Sequence, residues 1–215
     1  MLKQTYKYEK IKDLILLIHK DSIKLNIILT GAGFSFLNWL LMCEGASNTI
    51  LKVTIPYNEE TLRKLIGNHQ IKKNESRLVS KIISSKLAKI AKDETKEIIP
   101  NDSSNIFGIS CSGSISTNYN KKGDHHAWIS IYGRHKNLPE KNQTLNMHIK
   151  LEKGLRNREE EDQIISYAII KLLLIFNSPN FEIQDIDYSK FLDIKLSANE
   201  TINLSKIQEK EYNNE

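Results

Sequence analysis

The chain has 215 residues, of which 40% are hydrophobic and 27% charged, and a formal net charge of +5. That length suits one domain with a real hydrophobic core and argues against two small ones. Lysine and isoleucine stand where arginine and alanine are more usual, so the mild positive balance reflects compositional bias and points to no nucleic-acid partner. The two cysteines, Cys43 and Cys111, lie far apart and require no disulfide framework. Met1–Lys7 lacks an apolar signal core. No apolar run reaches the roughly 18 residues of a membrane span. A cytoplasmic protein with reduced thiols is the expectation.

Ile11, Leu14, Ile15 and Ile18 recur at helical spacing and predict a helix over 8–20. The apolar run 25–30 predicts a buried strand ending at Gly31, and Phe34, Leu37, Leu40 and Leu41 predict a helix over 34–43. Strand, glycine loop and helix in that order open a βαβ unit. Residues 50–56 predict a second strand, and 59–66 a short helix closed by Gly67. A long helix follows to about residue 92, with Asn74 as its cap and Leu78, Val79, Ile82, Ile83, Leu87, Ile90 and Ala91 on one face. A polar loop over 95–104 leads into a strand at 105–111. Residues 126–132 and 143–151 predict two more strands, joined as a hairpin through Gly133 and Pro139, and 159–176 a strong helix. Residues 181–197 are a candidate strand, and 204–215 read as a frayed, charged tail. The domain is therefore bounded at 1–180, with 181–215 a partly disordered extension.

Five stretches are candidates for chemistry. Thr30-Gly31-Ala32-Gly33-Phe34-Ser35 places glycines where a strand meets a helix, and helix N–H groups favour an anion there; the alternative is a tight turn capped by Ser35. Ser47, in Glu44-Gly45-Ala46-Ser47, either donates to a phosphate or caps a turn. Ser110 and Ser112, in the stretch Gly108–Ser114, suit a pocket wall; Cys111 between them lacks a visible base. In Lys121-Lys122-Gly123-Asp124-His125-His126 the two histidines point to opposite faces if His126 opens a strand, which disfavours a metal. Lys122 and His125 contacting an anion compete there with a solvated turn. In Arg156-Asn157-Arg158-Glu159-Glu160-Glu161-Asp162 the acids suit a helix start, while both arginines are open to an anion or to those acids. Tyr57, after Pro56, is a pocket candidate or a packing residue.

Taken in order, Thr30–Ser35, Gly45-Ala46-Ser47, Ile55-Pro56-Tyr57-Asn58, Gly67, Gly108–Gly113, Lys122-Gly123 and Arg156–Asp162 resemble the CinA C-terminal domain family over about residues 8–176. The chain is closer still to a divergent branch with Gly-Ala-Gly-Ser, Lys-Arg-Gly-x-His and Arg-x-Arg-Glu-Glu-Glu patterns. The resemblance implies a single three-layer α/β domain with a mixed sheet flanked by helices. It also implies homo-oligomers, and, as in the best-known members, hydrolysis of the amide of nicotinamide mononucleotide without a cofactor or metal. Carried onto this chain, Thr30, Ser35 and Tyr57 would be catalytic. Gly31, Gly33, Ser47, Ser110, Ser112, Lys122, Gly123, His125 and Arg156 would bind the nucleotide, with the Gly31–Gly33 N–H groups holding the oxyanion. The family serine falls at Thr30, its lysine at Leu62 and its second glycine at Phe34. These departures support a second expectation, a nucleotide-binding or regulatory module with the same pocket and no amidase activity.

Overall fold

The computed structural model describes residues 2–67, 78–99, 105–119, 121–134, 141–177, 189 and 192–207. In chain order it contains α1 (Leu2–Lys20), β1 (Ile23–Thr30), α2 (Phe34–Met42), α3 (Ala46–Thr49), β2 (Ile50–Thr54) and α4 (Glu59–Ile66). Then come α5 (Lys81–Ile98), β3 (Asn105–Ser114), β4 (His125–Arg134), β5 (Asn142–Leu151), α6 (Arg158–Asn177) and β6 (Thr201–Ile207). The strands make a six-stranded sheet in the order β2-β1-β3-β4-β5-β6. The first three are parallel, and β3 through β6 pair antiparallel, so the sheet is mixed as expected.

β1 is buried on both faces, which is why its sequence is a continuous apolar run rather than an alternation. Its odd positions Leu25, Ile27 and Leu29 join the main core with Ile109, Ile129, Met147 and the apolar side chains of α6. Helices α1, α2 and α6 cover that face; α5 covers the other. α6 is buried nearly all round: Tyr167, Ile170, Leu174 and Phe176 join the face predicted for it. A helix wedged between a sheet and two other helices has little solvent side to reserve for polar residues.

The α5 interface differs from its prediction. Ile83, Leu87 and Ala91 are buried, but Ile82 is exposed, and the side facing the strands is lined by hydroxyls. Ser84 and Ser110 lie Oγ to Oγ at 2.9 Å, Ser130 donates to Asn146 Oδ1 at 2.5 Å, and Ser85 donates to the same oxygen at 2.7 Å. Small polar side chains let helix and sheet approach closely while satisfying one another. Gly108 marks the closest point: a Cβ there would sit 1.9 Å from the Ala88 carbonyl oxygen.

Other boundaries shift. Ser80, not Asn74, caps α5, its Oγ accepting from Ile83 N at 3.3 Å; Asn74 lies outside the described residues. The helix runs on to Ile98, into the expected loop. Gly133 lies within β4, and Pro139 is outside the described residues. Most of the candidate strand at 181–197 also lies outside them. The strand forms instead at Thr201–Ile207, in part of what reads as a tail, with Met147 opposite Leu204 and Ile149 opposite Ile202. Ile202 and Leu204 pack on the main core, a period-two signal that the surrounding charge obscures.

Gly108→Ala is expected to lower the unfolding free energy by about 1–3 kcal/mol, because helix and strand backbones must separate. A urea titration measures this; an unchanged midpoint would mean that α5 moves aside freely.

Candidate functional site

Parallel strands β1 and β2 and the end of β3 deliver their loops to one edge of the sheet, the usual place for a ligand in α/β folds. The loop after β1 turns at Gly31, with φ 77°, and Gly33, with φ 90°. Neither position tolerates a side chain: a Cβ on Gly31 would lie 1.9 Å from the Gly113 oxygen, and one on Gly33 2.8 Å from Ile169. These glycines therefore serve the packing of the loop against β3 and α6.

The N-terminus of α2 is occupied from within the chain. The Asp162 carboxylate accepts from Gly33 N at 2.6 Å, Phe34 N at 3.0 Å and Ser35 N at 2.8 Å. It is itself buried, and Ser166 Oγ donates to it at 3.3 Å. The N–H groups expected to hold an oxyanion at Gly33 thus already hold an anion. Ser35 sits inside the first turn and does not cap it, since the cap arrives from α6. Cys111 lies beneath this loop, and burial, followed by the charge of Asp162, pushes its thiol well above the ordinary range. That removes it as a thiolate nucleophile.

Thr30 is buried, and its hydroxyl donates to the Pro56 carbonyl at 3.0 Å, tying the β1 and β2 loops together. Leu62, at the family lysine position, lies in a small apolar cluster with Ile28, Ile66, Ile83, Leu87 and Ala91. Ser110 and Ser112 are fully buried beneath α5; Ser112 Oγ donates to the Leu78 carbonyl at 2.9 Å. They line the helix–sheet interface and not an accessible pocket. Ser47 is exposed on α3, immediately before β2, at the opposite end of the parallel strands from Gly31. It cannot share a ligand with that loop.

The two arginines at the start of the final helix take different places. Arg156 forms a buried ion pair with Glu200 and donates to the Lys195 carbonyl at 2.7 Å, so it anchors the segment leading into β6. Burial alone would raise the Glu200 carboxyl. Hydrogen bonds from Arg156, Ser197 N and Glu152 N, with the Arg156 charge, outweigh it and hold the carboxyl below the usual range. Arg158 is the arginine at the loop edge: it donates to Ser116 O at 2.8 Å, Gly31 O at 3.0 Å and Tyr57 OH at 3.3 Å. Among the described residues no carboxylate lies within ion-pairing distance of it. Tyr57 is exposed, and its ring lies 6.0 Å from that of Phe34.

The lysine also shifts by one. Lys122 and Gly123 are exposed, and a Cβ on Gly123 would touch nothing within 4 Å. Lys121 instead folds inward, donating to Ser114 Oγ at 2.7 Å and Ile115 O at 2.8 Å. Burial lowers its pKa to about 8, with Lys153 and Arg158 adding to the effect and Glu161 opposing it. His125 is buried with Nδ1 2.7 Å from Glu161 Oε1, while Glu161 Oε2 accepts from Ser116 N at 2.7 Å. His126 points to the other face, as alternation requires, and lies beside His148. Among the described residues no group of three or more His, Cys, Asp or Glu is placed to hold a metal. Likewise no helix among them is long and apolar enough to cross a membrane.

No protein-family model matches the sequence, and no curated protein matches it by sequence. Solved structures do. The chain is similar to the competence/damage inducible protein CihA from Agrobacterium tumefaciens at 14% identity, covering 79% of this chain and 96% of that one, with a TM-score of 0.58. It is similar to a competence-damaged protein (CinA) superfamily protein from Escherichia coli at 13% identity, covering 78% and 88%, with a TM-score of 0.53. A third, a CinA superfamily protein from Klebsiella pneumoniae, has 11% identity, coverage of 77% and 94%, and a TM-score of 0.52. At such identities the likeness establishes a CinA-type fold.

Two outcomes test the site's electrostatics. Asp162→Ala leaves the N–H groups of Gly33, Phe34 and Ser35 without their acceptor, and should cost about 2 kcal/mol of unfolding free energy in urea. Glu200→Gln should cost about 3 kcal/mol near neutral pH, the scale for breaking a buried ion pair. Because the Glu200 carboxyl is depressed in the folded state, its contribution is complete above the ordinary carboxylate range and lost as pH falls through its lowered value. The denaturation midpoints of the wild-type chain and of Glu200→Gln should therefore converge in acid.

Proposed function

We propose that this CinA-type domain binds a small anionic ligand of the nucleotide class at the loop edge beside Arg158, without the amide hydrolysis that the family resemblance implies at Thr30. The observation that carries this reading is the Asp162 carboxylate seated on the N–H groups of Gly33, Phe34 and Ser35. An oxyanion developing at that helix start would meet a resident negative charge instead of free donors. Thr30 directs its proton to the Pro56 carbonyl, and among the described residues no base is bonded to its hydroxyl. Leu62 supplies no charge.

The binding half of the reading rests on Arg158. Its guanidinium is held by carbonyl oxygens and a phenol, and among the described residues no carboxylate lies close enough to neutralise it. A phosphate would supply that neutralisation through charge-assisted hydrogen bonds. The Tyr57 and Phe34 rings beside it offer a surface for a planar base. Assembly into homo-oligomers rests on the family resemblance alone.

Titration calorimetry with nicotinamide mononucleotide, followed by mass spectrometry of the ligand, tests both halves. Binding should be measurable, should weaken about tenfold in Arg158→Ala, the equivalent of about 1.4 kcal/mol, and should leave the ligand mass unchanged. A gain of one mass unit that disappears in Thr30→Ala would restore the amidase reading. Absence of binding would remove the nucleotide.

A further inference from the structure

β3 sends alternate side chains toward α5, and Ser110, Ser112 and Ser114 lie on that face in succession. Ser110 and Ser112 are sealed beneath the helix, each bonded to α5 or the residues just before it. Ser114 lies farther along the strand and is only half-buried. Its Oγ accepts from Lys121 Nζ at 2.7 Å, because the chain doubles back within seven residues. Among the described residues Lys121 has no carboxylate within ion-pairing distance. A hydroxyl in hydrogen-bond contact with a half-buried amine is the geometry of a serine nucleophile and its base.

The surroundings on that face are aromatic. His126 is the cross-strand partner of Ser114, which brings their Cβ atoms to about 5 Å. His126 Nδ1 lies 3.4 Å from His148 Nε2, and the His148 ring stacks on Trp128 at 4.4 Å and 18°. A planar group would find a stacking surface beside the hydroxyl.

We propose that Ser114 and Lys121 form a nucleophile–base pair that takes an acyl group from an activated ester, with the His126–His148–Trp128 stack receiving the ester's planar leaving group. The neutral Lys121 amine removes the Ser114 proton as Oγ bonds to the carbonyl carbon. The ester C–O bond breaks, and the departing oxygen takes the proton from the Lys121 ammonium. Water then attacks the acyl-serine, giving its proton to Lys121; the free acid leaves, and Ser114 Oγ regains a proton. The sum is ester plus water to acid plus alcohol. An activated ester suits the pair better than an amide, because its alcohol departs more readily than an amine and asks less of the acid that protonates it.

The charge around Lys121 sets the pH dependence. Glu161 and Arg158 face it from α6, Lys153 lies ahead of that helix, and His126 neighbours its serine. With the amine titrating near 8, reactivity should rise as pH climbs through that value and then level off. This inference is independent of the nucleotide reading, since its probes carry no phosphate monoester.

The experiment treats the full chain with a fluorophosphonate and maps the adduct by peptide mass, with hydrolysis of p-nitrophenyl acetate as a second readout. The adduct should sit on Ser114, be absent from Ser114→Ala, and form at least tenfold more slowly in Lys121→Met. Lys121→Arg, which keeps the charge and the hydrogen bond, should also label slowly while circular dichroism shows it folded. No adduct on the wild-type chain, an adduct elsewhere, or Lys121→Arg labelling at the wild-type rate with the same pH profile would overturn the proposal.

Discussion

One carboxylate joins the two ends of the domain. Asp162, at the start of the last long helix, satisfies the N–H groups that begin the first helix after β1, across nearly 130 residues of sequence. Three N–H groups at one carboxylate fix a relative position more tightly than apolar contact does, since each bond has its own direction. The remainder of the loop edge is placed from there. Arg158, one helical turn earlier, falls against Gly31 and Tyr57, and Glu161, one residue earlier, reaches His125 and Ser116. The same bond closes off the helix terminus, so the device that builds the edge also limits the chemistry available there.

The fold was legible wherever hydrophobic periodicity was strong. The strand ending at Thr30, the helix from Phe34 and the hairpin strands through Trp128 and Met147 all follow from apolar spacing. β6 was missed because its pattern, Ile202 and Leu204 alternating with polar residues, is short and set in a charged stretch. α5 was read by its apolar residues, yet the side against the sheet is made of serines. A polar residue on a helix reads as solvent-facing until a polar partner is known, and here the partners Ser110, Ser130 and Asn146 come from three different strands.

Where the candidate residues sit was legible only in part, for a related reason. The glycines after β1, the Tyr57 loop and the arginine-led helix do converge. Which of two neighbouring residues faces inward depends on the path of an irregular loop, and no period governs that: Lys121 turns in and Lys122 out, Arg158 reaches the edge and Arg156 does not. Asp162 was read as an acid suited to its own helix's dipole. It serves another helix's dipole, which no local pattern can reveal.

The placement of β6 has a consequence for synthesis. β5 is an inner strand only because β6 lies on it, held in part by Arg156 and Glu200. Until that segment leaves the ribosome, β5 presents an unpaired row of N–H and C=O groups over ten residues, an invitation to pair with another chain. The nascent domain thus carries its greatest aggregation hazard at the moment its core is otherwise complete.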